Sequence, residues 1–561
     1  MMNDRVDNAA PQADEIQSCD VLVVGSGGAA LSAALAAAVA GLKVLIVEKA
    51  ATVGGTTAMS GGAVWVPANH HALAQGVQDS PAEALTYLRA SAPEGWRETE
   101  DRLWRQFVQS APAMLAFLER HTPLRFQLTT EGDPLDGNAG GKTFGRMVTP
   151  APLRARVLAG ASLKLRRSPL PHVYTYQEVI GDDPYHFPLR VALRLSPRII
   201  WRWLTGARTK GAALITGLLA GCLAHGCRLE TAARVERLDY TPERGVTGAW
   251  FSRQGRLTQV NTTQGVVLAS GGFEWDALRR SRHFPGAFDY ISSPPTNEGD
   301  AHRMAEAIGA RLAHMDQATI TGALPARYEG QRYGLSVFFQ YEPNVVLVNR
   351  HGERFTNEFT FNLGEVLDER EYPQGPPAHL PAWLISDAGL LWRAPLLLAC
   401  ALRNPGWLRR AATLEELAQR LNLPPAALTR SVARFNQFCR QGVDEDFHRE
   451  RSVSHANGDR RFHVGLRAIT RAPFIAVPFN RTYLATKGGP RTDEFGRVVH
   501  QNGAIIPGLF CAGVAMANPI GSRAVGAGTT LGPNLTWGYI CGRTLAEQAR
   551  GEPPTPLAEE A

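Results

Sequence analysis

No stretch of this 561-residue chain is long and apolar enough to read as a bilayer-spanning helix. The nearest approach, residues 390–402, is interrupted by Arg393 and Pro395. Cysteine is scarce as well: seven residues, of which only Cys222 and Cys227 are close in sequence, with no CxxC pair. That excludes a disulfide framework and the usual metal clips, so no metal is expected, and it favours reduced thiols in the cytoplasm. Residues 1–17 lack the apolar core of a secretory signal and read as a loose tail, as do residues 551–561. Internal repeats and nucleic-acid motifs are also missing. What remains is the composition of a globular protein, 44% hydrophobic and 20% charged. Its length exceeds one ordinary core, so two domains are expected.

The most informative segment is 20–62. An apolar run, residues 21–24, enters Gly25-Ser26-Gly27-Gly28-Ala29-Ala30, then a helix of small residues, then a second apolar run ending at Glu48. Glycines at such a strand-to-helix turn let backbone N–H groups reach a pyrophosphate, where the helix terminus favours anions. Glu48 stands 23 residues after Gly25, the distance at which a carboxylate meets a ribose hydroxyl. Strand, turn, helix, strand and acid in this order read as a dinucleotide site. Lys49 follows the acid directly.

A second loop, Gly54-Gly55-Thr56-Thr57-Ala58-Met59-Ser60-Gly61-Gly62, comes soon afterwards. A nicotinamide cofactor has no evident use for it, whereas FAD must pass its ribityl phosphate and ring close to backbone. Two later blocks repeat the strand-into-glycine pattern: residues 265–273, with Ser270 and Gly271, and residues 506–514, with Gly513 and Val514. Residues 526–539 then read as a glycine turn, containing Gly528 and Thr530, that enters a helix at Leu531. A helix N-terminus aimed at the flavin N1/C2=O edge would stabilise the reduced ring by about 1–2 kcal/mol.

These blocks resemble the succinate dehydrogenase/fumarate reductase flavoprotein family, over roughly residues 18–545. The resemblance implies an α/β fold: a Rossmann-like FAD-binding domain with an inserted α+β capping domain. The FAD-binding domain is expected from 18–275 and 480–550, with a helical insertion at about 75–210, and the cap from 276–479. Val235 and Asp300 take cofactor positions by this resemblance. The family's covalent members carry a histidine just before the glycine pair; here Gly55, Thr56 and Thr57 occupy that neighbourhood, so FAD is expected to be non-covalent.

Longer motifs, among them residues 60–67, 140–146, 348–358 and 486–489, resemble the 3-ketosteroid dehydrogenase branch. That implies flavin-dependent oxidation or reduction of a C–C bond beside a ketone, in a hydrophobic substrate that can be 3-oxosteroid-like. The chain departs from the branch where its chemistry lies. Asn362 stands in place of the tyrosine base and Ala524 in place of the carbonyl-polarising tyrosine, while the partner glycine is retained as Gly528. An amide cannot accept a proton at working pH. The fumarate reductase reading loses its groups too, with Asn362, Ala485 and Val525 at its arginine, histidine and second arginine positions. Arg523, two residues from Val525, is the candidate anchor for a carboxylate or carbonyl, or a structural arginine bonded to loop carbonyls. Tyr483 is the best-placed phenol, competing with a buried core role. Lys487 is read toward FAD, Tyr333 and Tyr341 toward the cap's face or its core, and His70 and His71 toward the surface. A flavin protein with an impaired cap remains a third reading.

With no second GxGxxG unit for NAD(P)H, electrons are expected to leave to a separate acceptor, such as a quinone or carrier protein. The net charge of +7 is concentrated: residues 153–210 hold eleven Lys/Arg against three acids, with Trp201 and Trp203 among them. A solvated basic face is one reading; the other is an anionic partner, either the inner membrane leaflet in peripheral contact or an acyl-CoA substrate. Residues 147–197 read as a surface excursion. Thr413 and Glu416 predict a capping box, and residues 228–235 a single strand.

Overall fold

The computed structural model describes residues 13–158, 160–372, 375–454 and 465–555. Most of the two expected tails lies outside them. At the centre is a parallel sheet in which the first strand, Glu15–Val24, runs between Val44–Glu48 and Arg256–Leu268. Arg228–Thr231 extends it on one side and Ile505–Cys511 on the other. Residues 21–24 and the whole of Val44–Glu48 are buried. Helices cover both faces, which is why these strands are continuous apolar runs without alternation. Arg497–Val499 closes one edge in the antiparallel sense, and the strands Ala233–Thr241 and Gly245–Arg253 fold back onto Arg256–Leu268.

The two ends of the chain meet on this sheet. The small-residue helix Gly28–Val39 packs against the last helix, Leu531–Ala549. Their backbones approach so closely that a Cβ built on Gly538 would lie 2.2 Å from the Ala29 carbonyl oxygen, and one on Gly542 2.4 Å from that of Ala33. Ser32 Oγ donates to the Leu535 carbonyl at 2.7 Å. Only glycine facing alanine and serine permits that separation, which explains the composition of both helices.

The helical insertion is present as Pro81–Ser91 and Trp96–His121, whose Tyr87, Trp104 and Phe107 join Trp65 in the central core. The stretch expected to meander over the surface turns helical towards its end: Tyr176–Asp182 and Pro188–Arg194 lie within it and Ser196–Thr205 begins there. A capping box of Thr175 and Glu178, unnoticed in the sequence, starts the first of these. The box predicted at Thr413 closes on one side only. Thr413 accepts from the Glu416 N–H, but Glu416 accepts from Ala412 rather than Thr413. The strand expected over 228–235 is broken at Ala232, whose positive φ of 52° turns the chain between two strands.

The cap is built on a four-stranded antiparallel sheet, Val346–Val348, Trp383–Asp387, Phe474–Pro478 and Arg409–Ala411, with Leu414–Leu421 and Pro425–Gln441 packed against it. Its other sheet pairs Arg481–Thr486 with Phe288–Ile291 and Ala318–Ile320. Residues 481–486 therefore continue the cap past the boundary expected at 479. Among the described residues no helix is long and apolar enough to cross a membrane, and all seven cysteines are free thiols.

Candidate active site

The dinucleotide cradle assembles from the predicted loops. Gly25 has φ +109°, and a Cβ there would lie 2.5 Å from the Ala269 carbonyl oxygen, so the turn closes against the neighbouring strand. Gly27 caps the helix without a side chain. The Gly28 N–H donates to Thr57 Oγ1 at 3.1 Å, while the N–H groups of Gly27, Ala29 and Ala30 have no acceptor among the described residues. Ala29 and Ala30 are buried. Unpaired donors in such a place are costly unless an anion takes them.

Glu48 is held ready. One carboxylate oxygen accepts from Ser26 N–H at 3.0 Å and Ser26 Oγ at 2.6 Å, the other from Ala50 N–H at 2.8 Å. A carboxylate offers about four acceptor sites, so capacity for a ribose remains. Lys49 and Asp300, both expected at cofactor positions, lie together. Lys49 Nζ bonds Asp300 and Glu298 at 2.5 and 2.9 Å, and Arg234 and Arg303 share the same Asp300 carboxylate. Burial alone would raise the Asp300 carboxyl, but the charges of Lys49 and Arg234 hold it below its ordinary value. The network stitches the cap side to the end of the second strand. Val235 is buried on the neighbouring strand.

The second loop lies against this turn. Gly55 carries φ +49°, Ser60 Oγ donates to the Thr57 carbonyl at 2.7 Å, and Thr56 Oγ1 accepts from Asn297 Nδ2 at 3.2 Å. Asn297 also sits where a Cβ on Gly271 would fall, 2.9 Å away, and Ser270 Oγ accepts from the Ala301 N–H. A Cβ on Gly513 would meet that of Ala29 at 2.9 Å; Val514 follows in the same short turn. Thr530 precedes the last helix, beginning at buried Leu531, and accepts from Lys487 Nζ at 2.8 Å. Burial pulls the Lys487 ammonium down to about 7. Orphaned donors, an oriented acid and a glycine-lined approach fit a flavin dinucleotide. When bound, FAD would supply the hydride acceptor, and the residues above would hold and orient it.

The four candidate catalytic residues sit in different surroundings. Arg523 donates to Glu365 at 2.8 Å and to the Ala92 and Ser91 carbonyls at 3.1 and 3.2 Å. It is the structural arginine of the two readings: its charge is balanced, and it ties the end of helix Pro81–Ser91 to the cap. Tyr483 is 0% exposed and packs on Phe284 and Phe288. Burial raises its phenol, and its hydroxyl has no partner among the described residues. That is a core position. Asn362 precedes helix Leu363–Leu367 with a half-exposed amide that bonds no described residue. Gly528 has φ +85°, and a Cβ there would crowd Trp65 N at 2.8 Å. Its carbonyl accepts from Trp65 N–H, and its own N–H remains without an acceptor among the described residues, as an oxyanion donor requires.

Sequence reasoning missed a further group. Tyr176 Oη donates to Glu131 at 2.8 Å, and the Tyr176 ring lies 2.9 Å from where a Cβ on Gly61 would be. From the cap, Tyr341 stacks between Phe338 and Phe359, with ring centroids 5.3 Å away on each side. Glu131 adds to the effect of burial in raising the Tyr341 phenol. Nothing in the spacing announced this cluster, because Glu131 and Tyr176 are 45 residues apart and Tyr341 is in the other domain. Tyr333 instead donates to the Ser292 carbonyl within the cap. His70 and His71 close on Glu119 at the surface, at 2.7 and 3.1 Å. Gly62, with φ +74°, packs on the backbone of Lys210.

A nucleotide cradle made from both chain ends, roofed by a cap with an aromatic underside, defines a flavin-dependent oxidoreductase. The comparisons agree: residues 20–531 match the FAD binding domain family, and the chain belongs to it. It is 35% identical over 555 residues to the 4-oxocyclohexanecarboxylate 2-dehydrogenase of Sinomonas cyclohexanicum, covering 95% of this chain and 93% of that one. To the 3-oxosteroid 1-dehydrogenase of Mycobacterium tuberculosis it is 33% identical over 569 residues, covering 95% and 99%. The crystal structure of the 3-ketosteroid delta1-dehydrogenase of Sterolibacterium denitrificans, in complex with 1,4-androstadiene-3,17-dione, superposes with a TM-score of 0.84 at 30% identity, covering 95% and 100%. The protein is thus an FAD-dependent oxidoreductase of the 3-oxosteroid and oxo-carboxylate dehydrogenase kind.

Proposed function

We propose that this enzyme dehydrogenates the CH–CH bond beside the carbonyl of a neutral, hydrophobic cyclic ketone, with non-covalently held FAD as oxidant. The observation that carries this reading is the Tyr176–Glu131 pair beside Gly61 of the flavin loop, with no Lys or Arg bonded to Glu131 among the described residues, and Tyr341 stacked with Phe338 and Phe359 on the cap. Apolar rings suit a ring-shaped substrate, and an acid without a bonded cation offers a carboxylated one no anchor. The free N–H of Gly528 is placed to polarise the ketone oxygen as enolate character develops. A carboxylate reductase is disfavoured because Arg523, its only candidate anchor, is already paired with Glu365. Anaerobic mixing with 3-oxosteroids or unsubstituted cyclohexanones is expected to bleach the flavin band near about 450 nm. Unsaturated carboxylates reoxidising the reduced enzyme, with no ketone bleaching it, would overturn the reading.

A second observation bears on where electrons go. Helices Pro188–Arg194 and Ser196–Thr205 bury Val191 but leave other large apolar side chains outward: Leu189 and Trp203 are 80% exposed, Leu193 77% and Leu204 70%. Arg194 and Arg198 stand among them, mostly exposed. Trp and Leu ringed by Arg suit the headgroup level of an anionic leaflet, where a quinone acceptor resides. The holoenzyme is expected to co-sediment with vesicles containing phosphatidylglycerol. Replacing both Trp203 and Leu204 by alanine should weaken this at least ~10-fold, the loss of two buried side chains. Equal binding by wild type and double variant would remove the helices from this role.

A further inference from the structure

The branch that this chain resembles takes its substrate proton on a tyrosine whose place is filled here by Asn362, so a ketone-oxidising enzyme needs another acceptor. Two acids are pushed up to about 7 by burial, Glu274 and Glu131. Glu274 is fully buried, with one oxygen on the Thr486 N–H at 2.6 Å, the other without a partner, and no phenol bonded to either among the described residues. Glu131 differs. It is half-buried, as are Tyr176 and Tyr341. Its partner Tyr176 lies against Gly61 of the predicted flavin loop, where a Cβ would meet the ring at 2.9 Å, and its charge reaches Tyr341 on the cap.

We propose that Tyr176 and Glu131 form the proton-transfer pair of this enzyme, Tyr176 taking the ketone's α-proton while its own passes to Glu131. This rests on the ketone-dehydrogenase reading above. The α C–H bond breaks and its electron pair stays on carbon as the enolate, whose oxygen faces the Gly528 N–H. One proton moves onto the Tyr176 oxygen as the phenol's own proton crosses the 2.8 Å hydrogen bond to the Glu131 carboxylate. The electron balance is closed by FAD, which when bound would supply the acceptor for the hydride on the adjacent carbon. Glu131, now neutral, releases its proton to water after product leaves. Tyr176 is the catalytic residue here and Glu131 the relay that makes its phenol basic. The groups facing Glu131 are the Tyr176 hydroxyl from its own side and the Tyr341 ring from the cap. With no cation bonded to it, burial dominates over the lowering effect of the Tyr176 hydrogen bond, so the acid can both take and return a proton near neutrality.

The test separates proton removal from oxidation. Holoenzyme reduced anaerobically with dithionite is incubated in D2O with a saturated 3-oxosteroid or cyclohexanone, and deuterium at the α-carbon is followed by mass spectrometry. Wild type should exchange with a rate that rises through pH ~7, and Glu131→Gln should lose at least ~100-fold and become flat with pH. Tyr176→Phe should lose as much. If Tyr176→Phe fails to load FAD because its ring packs on Gly61, Glu131→Gln decides alone. FAD-loaded variants that exchange and bleach like wild type overturn the proton pair while leaving the ketone reading intact. A wild type that neither exchanges nor bleaches overturns the ketone reading itself.

Discussion

Replacing Gly25 with valine is expected to yield protein without FAD. The residue sits at φ +109°, a region that costs a side-chain-bearing residue about 1–2 kcal/mol. The larger penalty is steric. Its Cβ would lie 2.5 Å from the Ala269 oxygen and 3.0 Å from the Ala269 carbon, both backbone atoms that no rotamer change can move. Relief requires parting the first strand from Arg256–Leu268 just after Val24 pairs with Leu268, and the same shift withdraws the N–H groups of Gly27, Ala29 and Ala30. Gly41→Ala is the control, because Gly41 also has positive φ (+92°) but nothing within 4 Å of its Cβ. The ratio of flavin to protein absorbance reads the result directly. Full occupancy in the Gly25 variant would mean that the turn does not hold the nucleotide.

The second large effect is expected at Lys487. Its ammonium is buried with one oxygen partner, Thr530, at the start of the last helix, and burial holds it at about 7. The unfolded chain titrates this group near 10.4, roughly the reference value. Between those values the unfolded state binds more protons than the folded state, so stability rises with pH. The slope from this one residue approaches ~1.4 kcal/mol per pH unit, is present from about pH 7 to 10, and is absent below 7. Lys487→Met should flatten that rise in the apoprotein, as measured by urea unfolding at a series of pH values. In the holoenzyme below about pH 7, where Lys487 keeps its proton, its positive charge beside a helix N-terminus favours the reduced, negatively charged ring. The same variant should therefore lower the flavin midpoint potential by on the order of 30–60 mV, one to two factors of ten for a two-electron couple. An unchanged potential would place Lys487 away from the ring.

How much of this was legible in the sequence follows from the physics of each part. The cradle was legible because its constraints are local: a turn with positive φ demands glycine, and strands buried on both faces demand unbroken apolar runs, as at residues 21–24 and 44–47. Gly528 could be singled out for the same reason. The roles of Arg523 and Tyr483 were not legible. What decides them is which partner arrives from elsewhere, Glu365 and the Ala92 carbonyl for one, Phe284 and Phe288 for the other. Tyr176 was hidden inside a segment whose prolines and arginines suggested irregular surface, although Thr175 and Glu178 carried a helix-start signal in plain view. Its pairing with Glu131 exists only after the insertion has folded back on itself.

The contact between Ser32 and Leu535 spans 503 positions, and it has a consequence for biosynthesis. The first helix is made early, yet the surface it is shaped to bury does not exist until the final helix has left the ribosome. Native pairings of such separation form late and slowly. Until then the alanine face and the neighbouring strand edge stay open to solvent and to other nascent chains. A stop codon that removes only the last helix should thus do more damage to the yield of soluble protein than many larger internal deletions, because it leaves the beginning of the chain permanently unfinished.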